Sequence, residues 1–61
     1  SFSEHFFLLR MAKACDLLLN SNEYITAIAQ SVGYKNVGSF STQFKRYAGI
    51  LPSEYRATKV R

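Results

Sequence analysis

Ser39, Thr42, Gln43 and Arg46 fall within one sector of a helix wheel at 100° per residue. Together they make a face of short hydrogen-bonding side chains with a cation at its end. Such a face suits recognition, because base edges in the DNA major groove display distinct donor and acceptor patterns. A solvated helix surface carries the same residue types, so the pattern alone leaves both readings open. Catalytic chemistry lacks its parts. His5 is the only histidine and Cys15 the only cysteine, and on a continuous helix they point well away from each other. With no acid, base and nucleophile in one constellation, the sequence is not that of an enzyme, and no metal or cofactor is expected. A lone cysteine in an apolar pattern reads as a small buried hydrophobe, and the lack of a disulfide framework fits a reducing cytoplasm.

A helix must carry that polar face, and its opposite side holds Phe40, Phe44 and Tyr47, a core face. Upstream, Ile25, Ile28, Ala29 and Val32 recur at i, i+3, i+4 and i+7 and mark a preceding helix. Gly33 then supplies the left-handed residue that ends a helix without a Cβ clash. Asn36 is a good N-cap for the next one. Two short helices meeting at a glycine, with small Ala29 where they must cross, outline a helix-turn-helix over residues 25–46.

The flanks support this unit. Ser3 is a plausible cap for a long helix to about Asn20, with a core stripe of Phe7, Met11, Ala14 and Leu18, widened by Leu8, Cys15 and Leu19. Phe6, Leu9 and Leu17 form a second strip on another side, so this helix wants partners on two sides. Arg10, beside Leu17, reads as an arginine packed along its stem. Asn20, Ser21 and Asn22 make a polar break, with Ser21 or Asn22 able to cap the next helix. After Gly49, Pro52 opens a last helix over residues 52–59, from which Tyr55 packs back, and Lys59, Val60 and Arg61 form a basic, fraying end. The expected core is Met11, Leu18, Ile28, Val32, Phe40 and Phe44.

Sixty-one residues make one small domain, near the size where a single core is only marginally stable. The net charge of +4 is unevenly placed: residues 1–34 balance to −1 and residues 35–61 to +5. The positive field therefore belongs to the half with the polar helix face, which points to an anionic partner. No apolar run approaches the ~18 residues of a membrane span, and the first residues have no basic n-region of a signal peptide. One echo is notable: Ser3 and Glu4 precede His5 and Phe6 as Ser53 and Glu54 precede Tyr55 and Arg56, which hints that the chain begins where a similar unit ended.

Four ordered groups of residues carry a family resemblance: Arg10, Met11, Ala14, Leu17 and Leu18; Ile28, Ala29, Val32, Gly33 and Tyr34; Phe40, Phe44, Lys45 and Arg46; and Gly49, Pro52, Ser53, Glu54, Tyr55 and Arg56. At these spacings, over essentially the whole chain, the sequence resembles the C-terminal part of the DNA-binding region of AraC/XylS-type bacterial transcription regulators. The resemblance implies an all-α, homeodomain-like unit of three to four helices with a long N-terminal linking helix. Residues 1–61 would be a partial DNA-binding domain: 4–20 the linking helix, 25–46 the second of two helix-turn-helix units, and 52–59 the C-terminal helix. A first unit and an effector or dimerisation domain would lie upstream.

The implied function is sequence-specific binding of double-stranded DNA in the cytoplasm, with residues 37–48 in the major groove. Base contacts would come from Val37, Gly38, Ser39, Thr42 and Gln43, and phosphate contacts from Lys35, Asn36, Lys45 and Arg46. The alternative is a helical module that docks on RNA polymerase or another regulator domain. Two positions depart from the family pattern, Tyr24 and Leu51, each standing where a capping Ser or Thr is usual. Val37 and Gly38 also bring no side-chain donor to a base edge.

Overall fold

The computed structural model describes the backbone of residues 2–59 and the side chains of residues 4–59. Val60 and Arg61 of the expected basic end lie outside the described residues. The chain forms four helices, α1 (Phe2–Asn20), α2 (Ile25–Ser31), α3 (Val37–Ala48) and α4 (Pro52–Ala57), with no strand among the described residues. Helix α1 packs against α2 and α4, and both of those pack against α3.

The core sits where these contacts meet. Met11, Ala14 and Leu18 of α1, Ile28 and Ala29 of α2, Val32, and Phe40 and Phe44 of α3 are buried. The period of the apolar residues dictates this set, since each group recurs every three or four positions on its own helix. Ala29 is fully buried, small enough to let α2 approach its neighbours. Aromatic rings then extend the core: Phe44 meets Phe40 at 5.7 Å and Tyr55 at 5.4 Å between ring centres, which ties α4 to α3. The Tyr55 hydroxyl lies beside Cys15, whose interaction with it, with burial behind it, holds the phenol above its ordinary pKa.

Several positions differ from the sequence expectation. Helix α1 begins at Phe2, so Ser3 stands inside its first turn and is not the residue preceding the helix. Neither Ser21 nor Asn22 caps α2. The N-cap is Tyr24, without a side-chain bond, while the Ser21 hydroxyl donates to the Leu17 carbonyl at 2.7 Å and closes the end of α1. Helix α4 stops at Ala57, short of Lys59, because Thr58 and Lys59 form a terminal turn. Its N-cap is Leu51, which has no polar side chain; Glu54 compensates by accepting the Leu51 N–H at 2.9 Å.

Burial along α1 follows the position of α4, which covers only the C-terminal half of that helix. Cys15 is thus half-buried and Leu8 exposed, although both share the edge of the core stripe. Leu17 packs against the core where the chain turns back beside it, which reduces the second strip to Phe6 and Leu9, 53% and 55% exposed. Tyr47 is 41% exposed: its ring edge meets Phe7 and Phe44, and it lies at the open end of α3, where no element closes over it.

Candidate nucleic-acid interface

Helix α3 is positioned at both ends by backbone chemistry that its sequence specifies. Gly33 has φ +97°, the left-handed conformation that turns the chain out of α2. The Gly33 N–H reaches the Gln30 carbonyl at 3.0 Å and the Tyr34 N–H the Ala29 carbonyl at 2.9 Å, so the last carbonyls of α2 are satisfied. Asn36 then caps α3, its Oδ1 accepting the Ser39 N–H at 2.8 Å. At the far end Gly49, φ +86°, closes the helix with its N–H on the Lys45 carbonyl at 2.8 Å.

A second constraint comes from α1. The Arg10 guanidinium lies 4.8 Å from the Phe6 ring centre and 5.3 Å from that of Tyr34, in cation–π contact with both. It also fills the space beside Gly33: a methyl group built there would come within 2.9 Å of the Arg10 Nη2. Arg10 is therefore the structural arginine its position suggested, but it acts through its head as well as its stem, pinning the turn between α2 and α3 to α1.

With α3 so held, its polar side faces outward. An open groove runs along it, lined by Gly33, Tyr34, Lys35, Asn36, Ser39, Thr42 and Gln43. Ser39, Thr42 and Gly38 are exposed, and Gln43 is half-buried where the groove passes toward Glu4 and Phe7 of α1. Val37 is half-buried in the first turn, on the side of the helix that also carries Phe44 and Ala48, so it can offer the groove no more than a methyl edge. Lys35 is exposed in the turn before α3, and Lys45 and Arg46 are exposed in its last turn. The cations therefore flank the polar face at both ends.

Hydrogen bonding within the helix narrows what each group can do. The Thr42 hydroxyl donates to the Gly38 carbonyl at 3.1 Å, so it offers lone pairs and a methyl group rather than a proton. The Asn36 carbonyl oxygen is committed to its cap, which leaves only the side-chain NH2 for a phosphate. Nothing internal demands glycine at position 38: its φ is not positive, and a Cβ there would make an ordinary 3.4 Å contact with the Asn36 Oδ1.

Sequence reasoning missed Arg56. Its Nε–H donates to the Leu18 carbonyl at 3.1 Å and its Nη2 to the Ser21 carbonyl at 3.2 Å, so it satisfies the C-terminal end of α1. The signal was the lack of any basic residue in the last turn of α1, which leaves that helix end to be neutralised from elsewhere. Among the described residues no group of three or more His, Cys, Asp or Glu side chains could hold a metal, and no helix is long and apolar enough to cross a membrane.

Comparison with known proteins adds four findings. A family model described as a helix-turn-helix domain matches residues 1–58. The chain is 48% identical over 48 residues to the raffinose operon transcriptional regulatory protein RafR of Pediococcus pentosaceus, a match covering 79% of this chain and 17% of that protein. It is 38% identical over 53 residues to the MmsAB operon regulatory protein of Pseudomonas aeruginosa, covering 87% of this chain and again 17% of the relative. Among solved structures, the C-terminal domain of the two-component response regulator yesN from Fusobacterium nucleatum superposes with a TM-score of 0.89 at 39% identity, over 92% of this chain and 54% of that one.

Proposed function

This chain belongs to the AraC-type helix-turn-helix family of transcription regulators, and on that footing we propose that it binds double-stranded DNA with α3 in the major groove. The observation that carries this reading is the outward face of α3. It sets Gly38, Ser39, Thr42 and Gln43 between Lys35 at one end and Lys45 and Arg46 at the other. Base edges meet Ser39, Thr42 and Gln43, and Gly38 admits the backbone close to the groove, with Val37 at its rim. Phosphates meet Lys35, Lys45, Arg46, the Asn36 side chain and the amides that open α3, since a helix N-terminus favours anions.

In the complete protein, this unit is the second of two that grip DNA in the cytoplasm. The first lies upstream against Phe6 and Leu9, together with an effector or dimerisation domain. The test is a salt series on the complete protein and duplex DNA, followed by fluorescence anisotropy. Replacing Lys35, Lys45 and Arg46 together by Ala should flatten the plot of log affinity against log salt by about three units, close to one per phosphate contact. A module that only docks on RNA polymerase would show no salt-dependent affinity for DNA, and an unchanged slope in the triple variant would remove α3 from the interface.

A further inference from the structure

Resting on the placement of α3 in the major groove, we infer that the base pair facing Thr42 is an A·T pair, recognised through the thymine methyl group. Thr42 is exposed in the middle of α3, between the cations at its two ends, and its hydroxyl proton is committed to the Gly38 carbonyl at 3.1 Å. The side chain therefore presents two features to a base edge: acceptor lone pairs on Oγ1 and the Cγ2 methyl. Guanine displays two acceptors, N7 and O6, and finds no donor at this position; Gly38, one turn earlier, has no side chain to supply one. An A·T pair matches both features, with the adenine N6 amino group donating to Oγ1 and the thymine 5-methyl packing on Cγ2. A C·G pair offers the cytosine N4 donor but no methyl, so it ranks below A·T. Ser39 and Gln43 can each donate and accept, which leaves Thr42 as the residue whose bonding state decides between pairs.

The experiment uses the complete protein and duplexes that it enriches from a randomised pool, with each thymine replaced in turn by uracil, which lacks only the 5-methyl group. At one thymine of the site the replacement should weaken binding about fourfold, the effect of burying one methyl. Thr42→Val, which keeps the methyl, should show the same loss at that thymine. Thr42→Ser, which keeps the hydroxyl and drops the methyl, should show none. Thr42 is exposed, so melting curves of both variants should superimpose on that of the parent protein. Uracil sensitivities that are identical in the parent and Thr42→Ser, or missing from both, overturn the inference while DNA binding itself stands. A protein that enriches no duplex at low salt overturns the placement of α3 and the inference with it.

Discussion

Two glycines of the helix-turn-helix differ in what their missing side chains are for. Gly33 is fixed by the fold, since its φ of +97° is left-handed and the Arg10 guanidinium occupies the space a Cβ would need. Gly38 lies in the first turn of α3 with helical backbone and room for a methyl group, so the fold gains nothing from it. In the proposed complex its use is close approach of the α3 backbone to DNA. Gly38→Ala should therefore raise stability, by up to about 1 kcal/mol from helix propensity, while weakening affinity for duplex DNA. Gly33→Ala should lower stability by more than about 1 kcal/mol, because it meets both the backbone strain and Arg10. Thermal melts paired with binding titrations separate the two. Were Gly38→Ala to bind DNA as tightly as the parent protein, the backbone does not come close at that point.

At the scale of elements, α3 is held from inside by Phe40 and Phe44 and α1 is closed from outside by Arg56. Phe44 is fully buried and touches the rings of Phe40, Tyr47 and Tyr55. Phe44→Ala should cost about 3–5 kcal/mol, enough to unfold most of a small domain, and loss of the cooperative melt would report it. Arg56 makes two charge-assisted bonds to carbonyls at the end of α1. Arg56→Met, which keeps the stem, should cost about 2–3 kcal/mol, and Arg56→Lys most of that, since an ammonium cannot span both carbonyls. If Lys proves equal to Arg in a urea melt, charge near the helix end suffices and the forked geometry is idle. What was legible in the sequence divides along the same line. Gly33, the Asn36 cap, the Phe40 and Phe44 pair and the polar face of α3 obey rules that act within one turn of helix, so their spacing displays them. The exposure of Leu8 and Tyr47 depends on where α4 ends up. The Arg56 bond joins residues 38 positions apart, and no local pattern encodes it. The placement of Lys35, Lys45 and Arg46 around the exposed face of α3 is likewise a property of the assembled helices, and only their charge was visible beforehand.

Taken as a whole, the molecule has a charged side and an apolar side. Residues 35–61 carry the positive balance; within that half Arg56 already serves α1, while Lys35, Lys45 and Arg46 lie around α3. The apolar side is the N-terminal half of α1, where Phe6 and Leu9 stand more than half exposed in a groove shared with Arg10, Lys13, Ser31 and Val32. A small domain with a marginal core gains nothing from leaving two large apolar side chains in water. The proposed upstream unit would bury them, and that has a measurable consequence in the complete protein. Phe6→Gln, at a position with no place in the core of this chain, should lower the stability of the complete protein by about 1.5–3 kcal/mol, the value of burying one such side chain. On a free surface the same change should stay within about 0.5 kcal/mol. Phe6 also lies under the Arg10 guanidinium, and a cation–π contact at a half-exposed site accounts for only about 0.5–1 kcal/mol of any loss. Arg10 also meets Tyr34 and the turn at Gly33, so the contact is controlled by making Phe6→Gln in an Arg10→Met background, where the cation–π contact is already gone and any remaining loss reports burial by the upstream unit. If Phe6→Gln costs no more than about 0.5 kcal/mol in the Arg10→Met background in a chemical denaturation series, Phe6 faces water in the complete protein, and the first unit must sit elsewhere on α1.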